Sequence, residues 1–400
     1  MESIKKIYRV GLGPSSSHTM GPRKAAEQFK SRTPQAASYR VTLYGSLAAT
    51  GKGHFTDKAI TDSLAPSDVE LVWKPETFLP FHNNAMLFEA LDADKTVIDK
   101  WEIYSVGGGN LADPNTHFTQ EHIYEHNTMT EILKYIERHG LTYWEYVVNH
   151  EGEDIWDFLN ERWKIMQNTI EQGLQNEGVI PGGLCLKRKA ATYYVKARSY
   201  KPSLQGRCFV MSYALATAEE NAAGGLIVTA PTCGSSGVLP AVLYHLKNNH
   251  EFSDKAILKA MATAALFANV IKTNASISGA EVGCQGEIGS ACAMSAAAAN
   301  QIFGGSPQQI EYAAEIALEH NLGLTCDPIC GLVQIPCIER NAFAALRALD
   351  ANLYSMLSDG KHIISFDKVV DTMNLTGKDL PSLYKETAEG GLALLNLYEQ

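Results

Sequence analysis

The sequence predicts an α+β protein in two unequal parts: a small N-terminal unit mixing strands with helices, residues 1–125, and a larger all-helical unit, residues 126–400. Three observations predict it. Segments of alternating, β-branched character are confined to the first ~115 residues. Ala-rich stretches with helical apolar spacing fill most of the rest, and a Gly-rich loop, Gly107-Gly-Gly-Asn-Leu-Ala-Asp-Pro-Asn115, lies between the two textures.

Ser38-Tyr-Arg-Val-Thr-Leu-Tyr-Gly-Ser46, Val69-Glu-Leu-Val-Trp-Lys74 and Trp101-Glu-Ile-Tyr-Ser-Val106 predict strands, with helices over 23–30 and 57–64 between them. Thr128 and Glu131 form a capping-box pattern for a helix over 131–139, which Gly140 stops. Further helices are predicted over 156–172, 255–270 and the Ala-rich 288–302. Ala-rich helices pack closely, which suits several helices converging on a central site. Local texture also predicts a strand over 226–229.

Four hundred residues with 45% hydrophobic content can bury two or three domain cores. A formal net charge of -10 with no Lys/Arg block argues against a nucleic-acid partner, which needs a concentrated basic surface. The N-terminus lacks the apolar core of a signal peptide, and apolar runs such as that near residue 228 are broken by Gly and Pro well short of ~20 residues. The expectation is a soluble cytoplasmic protein without a membrane partner. A homodimer is the default for soluble enzymes.

Eight cysteines are too few for a disulfide scaffold, and six fall between 233 and 337. Cys284, Cys326 and Cys337 stand out as three thiols with no fourth beside them. A structural metal is closed by four ligands, whereas a catalytic one keeps a position for water or substrate. Spacing leaves zinc, a cluster, a redox pair and simple apolar burial all open for the Cys326, Cys330 and Cys337 series.

Gly13-Pro-Ser-Ser-Ser-His-Thr-Met-Gly-Pro22 crowds hydroxyls and backbone N–H groups at the start of the predicted helix from Arg23, an arrangement suited to a carboxylate or phosphate. The same residues also serve as a plain N-cap. His82, between Phe81 and Asn83-Asn84, offers an imidazole for general base work. His122 and His126 stand four apart beside Glu121 and Glu125, a metal-ligand spacing if helical and a solvated loop otherwise. The Gly107 loop could cradle the phosphate of pyridoxal phosphate, although no lysine motif accompanies it and a strand-ending turn explains it. The stretch from Ala223 to Gly237 implies close backbone approach.

On these motifs the chain resembles the iron-sulfur-dependent L-serine dehydratases, or L-serine ammonia-lyases, over nearly its whole length. The matching residues are those of 13–19, Pro181-Gly-Gly-Leu184 with Lys187-Arg-Lys189, Glu219-Glu-Asn-Ala-Ala-Gly-Gly225 with Thr229-Ala-Pro-Thr232, and Gly283-Cys-Gln-Gly-Glu-Ile-Gly289. They continue through Thr325-Cys-Asp-Pro328 and Pro336-Cys-Ile-Glu-Arg-Asn341. The resemblance implies a 4Fe-4S cluster on Cys284, Cys326 and Cys337, with Cys233, Cys292 and Cys330 left to packing. It implies a small α+β domain carrying the serine loop joined to a helical domain carrying the cluster, and would place 226–229 within the latter.

By the same resemblance, Ser15, Ser16, Ser17, His18 and Thr19, with Asn83, bind L-serine, and His82 and His18 act in catalysis, His82 as the α-proton base. The product aminoacrylate hydrolyses to pyruvate and ammonia, which can feed energy metabolism or gluconeogenesis. The family's His-Pro-Asn-Gly-Met reads His82-Asn-Asn-Ala-Met86 here. Some relatives end in a cysteine that folds back on the cluster. No cysteine follows Cys337 here, so an open iron and no slow tail-dependent activation are expected. Neighbouring alternatives are a lyase for L-cysteine or another small substrate, a pyridoxal-phosphate dehydratase, or a zinc-bound structural or regulatory protein.

Overall fold

The computed structural model describes residues 1–113, 122–386 and 390–394. Its N-terminal region carries α1 (Gly21–Arg32), β2 (Ser38–Tyr44), α2 (Gly45–Thr50), α3 (Thr56–Leu64), β3 (Asp68–Lys74), β4 (Ala85–Leu91), β5 (Val97–Ser105) and β6 (Leu111–Ala112), after a short strand β1 (Val10–Leu12). Strands β2 to β6 form one sheet in the order β3-β2-β4-β5-β6. Only β2 and β3 run parallel, joined by the crossover through α2 and α3 that a parallel pair requires. One face is sealed by Ala25, Ala26 and Phe29 of α1 and Ile60 and Leu64 of α3, against Val41, Leu43, Met86, Phe88 and Ile103.

The predicted strands are present, although the first ends at Tyr44, because Gly45 takes a positive φ of 51° and turns the chain into α2. The Gly107 loop is a strand-ending turn. Three successive glycines adopt positive φ, and Arg9 Nη1 donates to the Gly108 carbonyl at 2.6 Å, so the loop presents a carbonyl to a guanidinium rather than amides to a phosphate.

The helical region comprises α4 (Met129–His139), α5 (Tyr143–Glu151), α6 (Ile155–Gln175), α7 (Ala190–Ala197), α8 (Pro202–Ala222), α9 (Val238–His250), α10 (Asp254–Asn274), α11 (Gly279–Val282), α12 (Ser290–Ile302), α13 (Pro307–Glu319), α14 (Cys337–Met356) and α15 (Phe366–Asp379). The capping box of Thr128 and Glu131 is formed, and Gly140 ends α4 at φ 65°. Helix α12 is buried from Ser290 to Asn300, and its alanines let α9, α10, α13 and α14 close around it. Helix α10 is long and apolar enough to cross a membrane, but 72% of its apolar window is buried inside the protein, as for a core helix.

Strand β7 (Leu226–Val228) pairs antiparallel with β1, so the local strand texture prevails over the purely helical surroundings that the resemblance implied. The pairing also draws the N-terminus onto the helical side. Met1, Ile4, Ile7 and Tyr8 are buried in the helical core, and Tyr8 donates its hydroxyl hydrogen to the Met261 carbonyl at 2.8 Å. His122 and His126 precede α4 outside any helix, so the metal-ligand spacing is not realised. His126 Nδ1 instead lies 3.0 Å from the Tyr146 hydroxyl, and Glu121 falls outside the described residues.

Candidate active site

Ser16–Met20 form one wide helical turn that runs directly into α1, with Ser15 in extended conformation before it. All five predicted residues, Ser15 to Thr19, are buried. Ser15 Oγ accepts from His18 N at 3.1 Å, and Thr19 Oγ1 accepts from Ser15 N at 3.1 Å. The Ser16 and Ser17 amides, first in the turn, make no hydrogen bond among the described residues. They and two serine hydroxyls form a buried donor set suited to a carboxylate. Asn221, from the Glu-Glu-Asn motif, donates to the Pro14 carbonyl at 3.0 Å and holds the turn against α8. Its neighbour Glu219 accepts from Lys189 N at 2.7 Å and Glu220 pairs with Arg188, which explains why those distant motifs occur together.

His18 is fully buried, with Nδ1 2.9 Å from Ser17 Oγ and Nε2 3.0 Å from Ser46 Oγ. Burial pushes its pKa well below the usual range, so the ring is neutral. His54 lies against it, ring centres 4.6 Å apart, and burial lowers His54 to about 4. The His54 Nδ1 faces the Thr50 carbonyl at 3.1 Å, which can only accept. Nδ1 therefore carries the hydrogen and Nε2 the lone pair, and that buried Nε2 has no partner.

His82 sits in the loop before β4. Its Nδ1 accepts from Asn84 N at 3.1 Å, and its Nε2 faces Glu281 Oε1 at 3.8 Å. The carbonyl of the next residue, Asn83, is bonded to Ser46, whose Oγ lies 3.0 Å from His18 Nε2, so the loop borders the same site. Asn83 is exposed, with its carbonyl accepting from Ser46 N at 3.3 Å, whereas Asn84 is buried with Oδ1 unpartnered.

The helical side brings the three thiols. Cys284 precedes the wide turn Gln285–Gly289 that leads into α12, Cys326 lies in the loop after α13, and Cys337 is the first residue of α14. Burial pushes Cys284 up to about 11, with Arg340 opposing. Burial also drives Cys326 and Cys337 well above the usual thiol range, with Cys284 and Cys337 adding negative charge at Cys326 and Cys284 adding it at Cys337. The three therefore share one low-dielectric site and need cationic charge to ionise. Arg340 is the nearby side-chain cation, held by a 2.7 Å bond from Nη1 to the Thr325 carbonyl.

Among the described residues no three metal-binding side chains close on a point that would hold a single ion. Three neighbouring thiols beside the Arg340 guanidinium are a donor set of the chemistry a 4Fe-4S cluster takes, one thiolate to an iron. Space beside one sulfur is kept open by Gly279: a Cβ there would lie 3.0 Å from Cys326 Sγ and 3.0 Å from Glu287 Oε2. Cys292 donates to the Ala344 carbonyl inside the helical core, Cys330 is exposed, and Cys233 packs its sulfur 3.3 Å from Met20 Sδ.

Sequence reasoning missed His54, Ser46, Glu287 and Glu386. Glu386 N donates to the Cys326 carbonyl at 2.7 Å and Cys326 N to the Tyr384 carbonyl at 2.8 Å, so the segment 384–386 is laced to a thiol-bearing loop. Burial and the charge of Glu287 hold the Glu386 carboxyl above the usual carboxylate range. His54 was signalled only by its place in Gly51-Lys-Gly-His54, a turn following a buried helix. The expectation of an open iron concerns the C-terminal end, where 395–400 lie outside the described residues.

Residues 79–393 match the family described as serine dehydratase alpha chain, and residues 3–72 the serine dehydratase beta chain. The L-serine dehydratase of Streptomyces coelicolor is 41% identical with 98% of both chains covered. That of Haemophilus influenzae is 40% identical (98% and 99% covered), and L-serine dehydratase 1 of Escherichia coli 39% (98% and 99% covered). The first alignment spans 447 positions against the 400 residues of this chain, so internal stretches of the relative are absent here. With both family segments on one polypeptide and identity sustained along it, the chain belongs to the serine dehydratase family.

Proposed function

We propose that this protein is an L-serine ammonia-lyase that converts L-serine to pyruvate and ammonia, with Cys284, Cys326 and Cys337 holding a 4Fe-4S cluster. The observation that carries the proposal is the meeting of two complementary half-sites, a buried donor-rich turn at Ser15–Thr19 and the three neighbouring thiols, tied together through Ser46, Glu386 and Cys326. When bound, the cluster would supply a Lewis-acidic iron for a substrate hydroxyl.

The chain's own residues account for binding and proton transfer. The free Ser16 and Ser17 amides and the Ser15 and Ser17 hydroxyls hold the carboxylate, while Thr19, which accepts from Ser15 N and donates its hydroxyl hydrogen to the His54 carbonyl at 2.6 Å, fixes the turn. His18, hydrogen-bonded through both ring nitrogens, keeps that turn in register. For the α-proton acceptor the geometry favours His54 over His82, because the His82 Nδ1 lone pair is occupied by the Asn84 amide while His54 Nε2 offers a buried, free lone pair. The Cα–H bond breaks toward that nitrogen, the Cα–Cβ double bond forms, and the Cβ–O bond breaks, the departing hydroxide taking up the proton removed from Cα to be released as water. The aminoacrylate tautomerises to the imine, which takes up one water to give pyruvate and ammonia.

The test is pyruvate formation from L-serine and from L-cysteine by anaerobically purified protein, with and without borohydride. Faster turnover of L-serine that survives borohydride is the expected result. Borohydride inactivation would move the chemistry to a pyridoxal Schiff base, and preference for L-cysteine would change the leaving group to sulfide.

A further inference from the structure

Glu386 is a buried acidic side chain of the site with no cation in contact with it among the described residues. It is 8% exposed, and among the described residues its carboxylate accepts no hydrogen bond. The group nearest to it, His18 Nδ1, stands at 3.8 Å, beyond hydrogen-bond reach. A carboxylate removed from water without a cation costs free energy unless a ligand supplies one.

Its placement is fixed rather than accidental. The residue takes a positive φ of 62°, uncommon for a side chain with a Cβ, and is clamped on both sides. Its amide donates to the Cys326 carbonyl, and its carbonyl accepts from Ser46 Oγ at 3.4 Å. The same His18 Nδ1 is 2.9 Å from Ser17 Oγ, a member of the carboxylate-binding turn. A hydroxyl of the proposed carboxylate-binding turn and the Glu386 carboxylate thus flank one ring nitrogen, and the Cys326 loop holds the Glu386 backbone. In an α-amino acid the carboxylate and the ammonium sit on the same carbon, so one small zwitterion spans both groups.

We infer that the Glu386 carboxylate, backed by Glu287, holds the α-ammonium of the substrate and makes the site selective for α-amino acids over the matching α-hydroxy acids. The inference rests on the lyase reading for the site. A buried group built to pair with an ammonium rejects an analogue that lacks it, because the carboxylate is then left alone.

L-alanine and L-lactate test this directly, since they differ at the ammonium position and neither carries a β-leaving group. Their affinities are measured by calorimetry on anaerobically purified full chain, wild type and Glu386→Gln. The wild type is expected to bind L-alanine at least tenfold tighter than L-lactate, and Glu386→Gln to weaken L-alanine about tenfold while moving L-lactate less than threefold. Equal weakening of both ligands would reduce Glu386 to a structural strap, and unchanged discrimination would remove it from the site; either overturns the inference. Should Glu386→Gln fail to fold, Glu287→Gln carries the same comparison, and a wild type indifferent between the two ligands is itself contradictory. Pyruvate formation is scored separately: discrimination without pyruvate sinks the lyase reading alone, and pyruvate without discrimination sinks this inference alone.

Discussion

The sheet-bearing region and the helical region bury polar groups in opposite ways. In the sheet-bearing region most buried hydroxyls and both fully buried imidazoles fall in two segments, Ser15 to Thr19 and Ser46 to Thr56, that bond to each other, with Thr33, Thr42 and Ser105 outside them. In the helical region buried polar residues are distributed along the helices, as at Thr217, Asn269, Ser290, Asn300 and Asn352, several with an unpartnered atom. The difference teaches where chemistry and packing are separable. Substitutions in the Ser15–Thr19 and Ser46–Thr56 segments should alter ligand binding with the thiol site intact, whereas substitutions among the thiols should abolish the cofactor with those segments intact.

The largest effect that sharpens this contrast is Cys326→Ala. It should lower L-serine turnover by more than a thousandfold and iron content with it, while circular dichroism and L-alanine binding change little. Full activity in this variant would break the account of the helical half-site.

Next comes His54→Asn, expected to lower kcat by about a hundredfold or more with iron retained, by the usual magnitude of general-base catalysis. His82→Asn should cost about tenfold or less. If the two losses are reversed, the proton acceptor is His82 and the lone-pair argument fails.

Ser17→Ala is expected to raise KM for L-serine about tenfold, the scale of one hydrogen bond to a charged group, with kcat falling less. A change confined to kcat would place Ser17 outside carboxylate binding.

The smallest effect belongs to packing alone. His362 is raised to about 9, chiefly by its 2.6 Å contact with Glu311. Its folded value lies above that of an unfolded histidine, about 6.5, so the stabilisation is fully present below about pH 6.5 and is lost as pH rises through 9. Chemical denaturation of His362→Gln should show a deficit of about 2 kcal/mol at pH 6 that shrinks toward zero by pH 10. A deficit independent of pH would assign the loss to shape rather than charge.

The same contrast explains what the sequence disclosed. Strands β2, β3 and β5 were legible because β-branched and aromatic residues alternate there. Strand β4 was not, because Ala85-Met-Leu-Phe-Glu-Ala-Leu91 has helix-forming composition and owes its form to pairing with β2 and β5 on both edges. The helices of the second region were visible as Ala-rich texture, since packing on all sides leaves α8 and α12 no polar face to mark their period.

In the site, the Ser15–Thr19 turn and the thiols announced themselves as motifs because each concentrates one chemistry in a few residues. His54 and Glu386 are single residues among unremarkable neighbours. They become site groups only when α2 and the segment from Tyr384 fold against His18 and Cys326, a tertiary event with no local signature.

The most direct test of the central claim is one anaerobic sample assayed for iron, acid-labile sulfide and L-serine-dependent pyruvate, before and after exposure to air. The account predicts about four iron and four sulfide per chain, as a cubane requires, and activity lost together with them in air. Undiminished pyruvate formation by iron-free, air-exposed protein would contradict it.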